Sequence, residues 1–584
     1  MSLQRPSRLL IAAALTLLAP VASSQEPEIP YAGEVPLVPN VRPVIVVSGT
    51  YYEMGYQHSQ QLIQIFGTYY LKGASEVKRS AEELGGLKQV DALVRKHTPE
   101  LVEYVRGMAA GASAAGIPMT YEQMLAQFAT TENGPSGGRE EEDCSGWAAW
   151  GSATKDGKLI AGGSGDHQIR VGSKYRYRYE VVLVCFPKTG NNFLLCPPSG
   201  GAGHPGMNNK GVVYVHHGAT GYCGRASGAE TGEKGVPRPF MVLHALRFAN
   251  SALDAQNIVL SLPNPDGRQG GLWADVNGNA LDIENRDNPR LIRRPGDNGE
   301  KDFIYATNNL FSKELGSCYK PPAGQKLAFV PHAGWLGTQG SRESIPRNLG
   351  MWNLFANYYG KVDLEFAKMM WRFSGDPPYY DTIEEAVADF DKSQGRRWNG
   401  KISETGNSVV AILQPDNGDK GVVHVSQGCA SRISEPHWTG LLLYRIAPTY
   451  TFFELNLGAT PRATAEQARR RAMFDMYYGN KELRKLTYRD AAYAPLDELF
   501  NKAATEWQKG EFYVDAARKT AGNESVGHWA KAIRCYTRCQ AYAKQVRESL
   551  VPPPARPEDL GLPKWLGEWG KWATREGTDV TEFP

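Results

Sequence analysis

Two N-terminal stretches carry apolar residues at steps of three and four positions, a spacing that predicts amphipathic helices. They run from Met54 to Leu71 and from Leu87 to Met108. A short apolar run from Val44 to Ser48 precedes them and ends at Gly49, which is typical of a strand. The pattern therefore predicts one strand followed by helices up to about residue 130.

From Cys144 onward, short runs typical of strands alternate with longer helical stretches. Helical spacing returns at Phe240–Leu262 and at Ile345–Phe373. Strands and helices mixed in blocks predict an α+β fold built in layers. The predicted strands are Lys158–Ala161, Val181–Phe186 and Gly211–His216, strands near Gly271–Glu284 and Phe303–Thr307, and then Ser408–Leu413, Gly421–Ser426 and Leu441–Ile446.

The same pattern divides the chain into four parts. Residues 1–24 are predicted to be a signal peptide, 25–143 a pro-segment or small subunit, 144–450 a catalytic region and 451–584 an accessory helical extension. The extension is helical and charged from about Pro461, and we expect it to cover the body of the fold or to control access to it.

The N-terminus has the composition of an export signal. Arg5 and Arg8 precede an apolar run from Leu9 to Ala22, which is too short for an ordinary membrane helix, and cleavage is predicted after Ser24. We therefore expect a periplasmic or secreted protein with no integral membrane segment after the signal is removed.

Charge and composition narrow the functional classes. The chain has 65 basic and 62 acidic residues, and removing residues 1–24 takes away two of the basic ones. So small an excess argues against a nucleic-acid partner held by bulk positive charge. Hydrophobic residues make up 41% of the chain, enough for a sizeable core. Since an exported protein lacks the cytosolic pools of ATP, NAD and coenzyme A, no cofactor is predicted.

The eight cysteines are too sparse to act as the scaffold of so long a chain. Cys144 has the most distinctive surroundings, because it follows a glycine-rich segment, Gly134–Gly138, and an acidic run, Glu140–Asp143. We expect these residues to form an exposed loop that suits chain cleavage. Seven cysteines remain, an odd number, so at most three bridges can form among them: Cys185, Cys196, Cys223, Cys318, Cys429, Cys535 and Cys539.

A cut before Cys144 would place a thiol and an α-amino group on one residue. The α-amine has an ordinary pKa of about 7.7–8.0, so it can accept the thiol proton without a histidine partner. After Cys144 come a β run, a Lys-Asp-Gly turn and a second β run that ends at Asp166. This hairpin would return Asp166 to Cys144, where a carboxylate could orient the ammonium group.

The order of these pieces resembles the N-terminal-nucleophile (Ntn) hydrolases, and most closely the peptidase C45 or acyl-coenzyme A:6-aminopenicillanic acid acyltransferase-like family. The resemblance covers roughly residues 43–430. The motifs that carry it are Gly49–Gly55 with His58, Gly116–Pro118, Cys144–Asp166, Gly206–Gly211, Gly235–Pro237, Asp275–Gly278 through Glu284, Ala306–Asn309 and Ser344–Arg347.

The resemblance implies a four-layer αββα sandwich and a precursor that cuts itself between Asp143 and Cys144. It implies hydrolysis of a linear amide C–N bond, or acyl transfer, through a thioester. The small and large fragments of one chain would then remain associated.

The resemblance also implies roles for individual residues. Cys144 matches the nucleophile, Asp166 the hairpin aspartate and Asn308 the asparagine that helps to form the oxyanion hole. Asn208 is a weaker oxyanion or structural candidate, and Arg347 a weaker structural one. An oxyanion donor of this kind contributes about 3–4 kcal/mol in the transition state.

Three interpretations of function stay open. The first is an exported, self-processing amidohydrolase whose substrate is a small N-acyl amide, a peptide or a β-lactam side-chain amide. The second is a phospholipase-B-like lipid ester hydrolase on the same fold. The third is a non-catalytic binding protein with a degenerate site. No metal site is predicted, because the histidines have none of the usual metal-ligand spacings: His167, His204, His216 and His217.

Overall fold

The computed structural model of the protein has a mixed α/β fold with two large sheets. This result confirms the α+β class in general. The predicted signal peptide, residues 1–24, lies outside the described residues. The model describes residues 41–68, 71, 75–76, 79–130, 144–166, 181–197, 203–217, 235–263, 271–285, 290–297, 300–307, 328–330, 334–336, 351, 354–355, 357–372, 407–427, 436–439, 442–445, 451–555 and 557–563.

Local side-chain chemistry sets the first helix boundaries. Thr50 begins α1 and Ser80 begins α2, each in a capping box in which the residue three positions later, Glu53 or Glu83, bonds back to the cap. The helices of the described residues are α1 Tyr51–Phe66, α2 Ala81–His97, α3 Pro99–Ala114, α4 Tyr121–Thr130, α5 Arg238–Phe248, α6 Ala252–Ser261, α7 Leu364–Arg372, α8 Pro461–Leu483, α9 Tyr493–Lys519 and α10 Gly522–Leu550.

Two predicted helical stretches are shorter than their spacing suggests. Helix α1 ends at Phe66 instead of Leu71, because Gly67 adopts a left-handed φ of 77°, and a turn at residues 358–360 interrupts Ile345–Phe373 before α7.

Two further stretches are each divided into two helices. The stretch Leu87–Met108 divides at Thr98, because Pro99 lacks an N–H group and starts a new helix at its first position. The stretch Phe240–Leu262 divides before Ala252, where the Ser251 side chain accepts a hydrogen bond from the backbone N–H of Asp254 at 3.0 Å.

An eight-stranded sheet, called here the first sheet, has the strand order β1-β4-β5-β6-β7-β8-β9-β10. Its β1 and β4 pair in parallel, and its other neighbours are antiparallel. Its strands are β1 Val44–Gly49, β4 Val182–Pro187, β5 Phe193–Leu195, β6 Gly206–Asn208, β7 Val212–Val215, β8 Gly271–Asp275, β9 Ala280–Asn285 and β10 Arg290–Arg293.

A six-stranded sheet, called here the second sheet, has the order β11-β2-β3-β14-β15-β18 and is antiparallel throughout. Its strands are β2 Ser145–Ala149, β3 Ile160–Asp166, β11 Phe303–Ala306, β14 Asn407–Gln414, β15 Val422–Gln427 and β18 Phe453–Asn456. Two further pairs stand apart, β12 Ala328–Val330 with β13 Gly334–Leu336, and β16 Pro436–Thr439 with β17 Leu442–Arg445.

Three apolar clusters show which elements pack together. One joins the first sheet to helices α1–α6, and a second joins the facing sides of the two sheets to α8, α9 and α10. A third joins the other side of the second sheet to α7 and to buried residues near Leu354. Alternate residues of β2 illustrate the division, since Ala148 belongs to the cluster between the sheets and Trp147 to the cluster on α7.

The C-terminal extension contacts both sheets. Its first strand, β18, is the edge strand of the second sheet, so the helical part begins only at Pro461. In α10, the Arg534 guanidinium donates to the carbonyl oxygen of Val44 in β1 at 2.9 Å. No helix among the described residues is long and apolar enough to span a membrane.

Candidate active site

Cys144 lies directly before β2, in the interior of the second sheet. Its side chain is buried, with a residue exposure of 1%. The pairing of Ser145 with Ser164, extended by one position, sets Cys144 opposite Gly165. Two positions along the strand, a β-carbon added at Gly146 would overlap Val215 of the first sheet. Since alternate residues share one face of a strand, Cys144 belongs to the face directed at the first sheet.

The imidazole of His204 lies at the Cys144 thiol. The distance between Sγ of Cys144 and Nε2 of His204 is 3.7 Å, and both residues are buried. His204 belongs to the segment that leads into β6 of the first sheet. The two partners therefore come from opposite sheets. A thiol beside an imidazole has a nearby group that can hold its proton, as nucleophilic catalysis by cysteine requires.

A line of buried histidines continues from this contact. The ring of His204 is 5.1 Å from that of His216, which is 6.2 Å from the ring of His217. Nε2 of His217 lies 2.7 Å from Oδ1 of Asp282 in β9. Because a carboxylate next to a ring nitrogen favours a proton on it, Nε2 of His217 donates this hydrogen bond to Asp282.

Arg293 forms ion pairs with three carboxylates, one of which also contacts His217. Its guanidinium lies 3.2 Å from Asp282, 3.5 Å from Glu284 and 2.6 Å from Glu300, and it also donates to the carbonyl oxygen of Tyr305. Burial alone would raise the pKa of Asp282, but His217 and Arg293 together lower it. Burial alone would lower the pKa of Arg293, but the carboxylates raise it. Asp282 and Arg293 therefore stay charged inside the protein.

The backbone of Asp166 returns to the end of the sheet where Cys144 lies. Asp166 is the last residue of β3, and β3 runs antiparallel to β2 as its direct neighbour. On its other side, Asp166 pairs with Asn407 of β14. The β2–β3 hairpin expected from the sequence therefore forms.

Three predicted residues lie outside the described part of the chain: Asp143, Asn308 and Arg347. Thr307, which precedes Asn308, is buried immediately after β11. β11 pairs with β2, with Ala306 opposite Gly146. The described chain thus reaches the neighbourhood of Cys144 at Thr307.

Asn208 has a structural role in the described fold. Its Nδ2 donates to the carbonyl oxygens of Leu246 and Ala249, at 2.8 and 2.9 Å. Its Oδ1 accepts from the backbone N–H groups of Lys210 and Val212. The first two bonds join β6 to the end of α5, the other two hold the turn between β6 and β7, and together they occupy the whole amide. Of the two roles considered for Asn208, the hydrogen bonds match the structural one.

The remaining described cysteines are buried thiols rather than halves of disulfides: Cys185, Cys196, Cys535 and Cys539. Burial raises the pKa of Cys185 and Cys196 to about 12 and that of Cys535 to about 11. Thiols with so high a pKa are poor nucleophiles near neutral pH. In the described residues, no group of three or more His, Cys, Asp or Glu side chains is placed to hold a metal ion.

Sequence reasoning considered His204 only as a possible metal ligand and overlooked the carboxylates around Arg293. A signal for the latter exists in β9, where Asp282 and Glu284 alternate with the apolar Leu281 and Ile283. Such alternation usually indicates a strand with one face in water. Here the charged face is buried instead. Neither protein-family models nor curated proteins yield a match to this chain.

Proposed function

We propose that this protein is a cysteine-nucleophile amidohydrolase of the Ntn type, which cleaves a small N-acyl amide through a thioester on Cys144. One observation carries the proposal. The Cys144 thiol stands before a central strand, on its face toward the first sheet, 3.7 Å from the His204 imidazole. The four other described cysteines are buried thiols, and the pKa of each is raised.

The arrangement of the layers supports the same proposal. The three apolar clusters follow the order helices, first sheet, second sheet, helices. This order is the one that an αββα sandwich of the Ntn type requires. The position of Cys144 between the two sheets also agrees with the resemblance to the peptidase C45 family.

The proposed reaction begins with a cut between Asp143 and Cys144. The thiol proton then passes to the new α-amine of Cys144, and sulfur attacks the substrate carbonyl carbon. When the C–N bond breaks, the ammonium returns the proton to the leaving amine. Water next attacks the thioester, the C–S bond breaks, a carboxylic acid leaves, and the thiol recovers its proton. In this scheme His204 positions the thiol. Asp166 orients the ammonium group, and Asn308 stabilises the oxyanion.

The proposal extends to the fate of the fragments. We place the mature protein in the periplasm or outside the cell, after loss of residues 1–24. Fragments 25–143 and 144–584 would remain associated, since β1 of the first pairs with β4 of the second over six residues. Helices α1 to α4 also share the apolar cluster of the first sheet.

Intact mass measurement and amide hydrolysis, performed on three proteins, test the proposal. They are the wild type, Cys144→Ala and the matched control Cys185→Ala, which removes another buried thiol. Hydrolysis is followed as amine release from a panel of N-acyl amino acids, with lysophospholipid as the ester alternative. We expect two fragments and amine release from the wild type and the control, and an intact, inactive Cys144→Ala chain.

Two results would refute this function. The first is a wild type that stays intact and releases no amine from any member of the panel. The second is a Cys144→Ala variant that keeps the wild-type rate. Hydrolysis of lysophospholipid without amide hydrolysis would show that the enzyme is an ester hydrolase in which Cys144 is the nucleophile.

A further inference from the structure

A cavity apart from Cys144 lies among the C-terminal helices. It has a volume of ≈ 470 Å³ and is bounded by α7, α8, α10 and the residues that lead into β18. In the second sheet, β3, β14 and β15 separate β18 from the strand that follows Cys144. The cavity is therefore distinct from the candidate active site.

Charged side chains of three helices converge on this cavity with an excess of positive charge. In α7 the wall positions recur at helical spacing from Leu364 to Arg372, so one face of the helix lines it. Six cationic residues oppose four carboxylates. The cations are Lys368, Arg372, Arg470, Arg471, Lys544 and Arg547, and the carboxylates are Glu365, Glu454, Asp475 and Glu548.

Most of the carboxylates are already bound by the inner cations. Lys544, which is 5% exposed, lies 3.3 Å from Glu454 and 3.7 Å from Asp475, and it donates to the carbonyl oxygen of Phe452 at 2.9 Å. Arg471 makes an ion pair with Glu454 as well. The buried carboxylates are thus offset by the innermost cations, and the excess positive charge belongs to the other cations of the wall.

Three of those cations have unused capacity toward a ligand. Arg470 forms no ion pair within the described part of the chain and is exposed. Arg547 reaches Asp475 only at 4.0 Å, and Lys368 pairs with the half-exposed Glu365 at 3.0 Å. A guanidinium can donate two parallel hydrogen bonds to one carboxylate or phosphate, which favours such anions here.

Apolar groups complete the wall. Leu364, Phe452 and Phe474 line the same cavity, and Phe474 is 56% exposed at its edge. Met473 and Tyr477, next to Phe474 on the outside of α8, are 55% and 65% exposed. A ligand that satisfied both kinds of wall would join an anionic group to an apolar one.

We propose that this cavity binds a small organic anion, a carboxylate or phosphate that carries an apolar group. The anionic group faces Lys368, Arg470 and Arg547, and the apolar group packs on Phe452 and Phe474. The proposal does not depend on the chemistry of Cys144.

Titration calorimetry on the full chain tests this site with 4-phenylbutyrate and phenyl phosphate as probes. The neutral 4-phenylbutanol serves as the uncharged comparison. The variants are Arg470→Gln and Lys368→Met, and the control is Arg462→Gln, which lies on the same helix outside the cavity. Arg470 is exposed, so its variant should fold, and thermal melting of each protein checks this.

We expect at least one anion to bind with a Kd below about 1 mM, and the alcohol at least tenfold more weakly. Each cavity variant should weaken the anion at least tenfold, while Arg462→Gln leaves its affinity unchanged. Vesicles with anionic lipid distinguish the source, since sedimentation that depends on Arg470 assigns the anion to a lipid headgroup. The site is refuted if neither the probes nor the vesicles bind, or if both cavity variants bind the anion as tightly as the wild type.

Discussion

At the scale of single residues, the contact between Cys144 and His204 leads to the first prediction. We expect His204→Gln to lower kcat/KM for amide hydrolysis at least tenfold, because the variant loses the imidazole that positions the thiol from 3.7 Å away. The pH–rate profile should keep its wild-type shape, since in the proposed reaction the α-amine of Cys144 accepts the thiol proton.

A suitable control is His424→Gln, which changes another buried histidine with no contact to Cys144. His424 bonds instead to Gln414 in the neighbouring strand at 2.8 Å. A His204→Gln variant with the wild-type rate would show that the thiol needs no positioning by the imidazole. A changed pH profile would show that His204 itself accepts the thiol proton.

Arg293 supports a second prediction at this scale. Replacing it in Arg293→Met would leave Asp282, Glu284 and Glu300 buried without their shared cation. Removing one partner from a buried ion pair typically costs about 3–5 kcal/mol. We expect a loss of that size in urea unfolding, against less than about 1 kcal/mol for Arg95→Met, whose ion pair with Asp91 is exposed. Equal losses in both variants would contradict the prediction.

At the scale of elements, glycines of the second sheet lie where the two sheets are in close contact. A β-carbon added at Gly163 would lie 2.6 Å from Cγ1 of Val215 and 2.7 Å from Cγ of Pro205, and one at Gly146 would also meet Val215. We therefore expect Gly146→Ala to destabilise the protein by about 1–3 kcal/mol through overpacking. Adding Val215→Ala should restore part of this loss in a double-mutant cycle of urea unfolding. Strictly additive losses would show that the contact between the sheets is not responsible.

The junction of α8, α10 and β18 predicts an unusual pH dependence. Burial raises the pKa of Asp475 to about 6, so its contribution makes stability fall as the pH rises from about 4 to 6. Burial lowers the pKa of His424 to about 4, so its contribution makes stability rise between about pH 4 and 6.5. Glu454 contacts His424 directly and reaches Asp475 through Lys544.

The two contributions oppose each other, and single variants should separate them. In Asp475→Asn, unfolding free energy should rise more steeply with pH between 4 and 6 than in the wild type. In His424→Gln it should rise less or fall. Because one group binds at most one proton, each variant's slope should differ from that of the wild type by no more than about 1.4 kcal/mol per pH unit. Urea unfolding at four pH values from 4 to 7 measures both, and identical slopes in all three proteins would exclude this pair as the cause.

Periodicity located the helices and the longer buried strands, such as β4, β14 and β15, because both depend on local residue spacing. It missed the short strands β5, β6, β10 and β18, which are too short to show a pattern. The boundaries it placed wrongly depend on single residues, such as Pro99 and Ser251, that interrupt an otherwise continuous pattern. Periodicity could not predict which strands and helices lie next to each other. His204 is 60 residues from Cys144 and belongs to the other sheet, so only tertiary pairing brings the two together. The β2–β3 hairpin could be predicted because a short turn connects its strands.

At the scale of the whole molecule, the cysteines give a prediction about disulfides. Five of the eight, Cys144 included, are buried thiols, and the other three, Cys223, Cys318 and Cys429, lie outside the described residues. If Cys144 is the nucleophile, these three can form at most one bridge. We expect at least six alkylated cysteines when the protein is unfolded in guanidinium without reductant and its mass is measured. Four or fewer would mean that a buried thiol or Cys144 is oxidised.

The parallel pair of β1 and β4 has a consequence for the life of the protein. If the chain is cut before Cys144, the two strands belong to different polypeptides, although they formed their hydrogen bonds as parts of one. Folding of the precursor is unimolecular, whereas recovery of the cut protein after denaturation requires two fragments to meet, so its yield depends on concentration. Proteolytic maturation would then make folding a step that each molecule completes once.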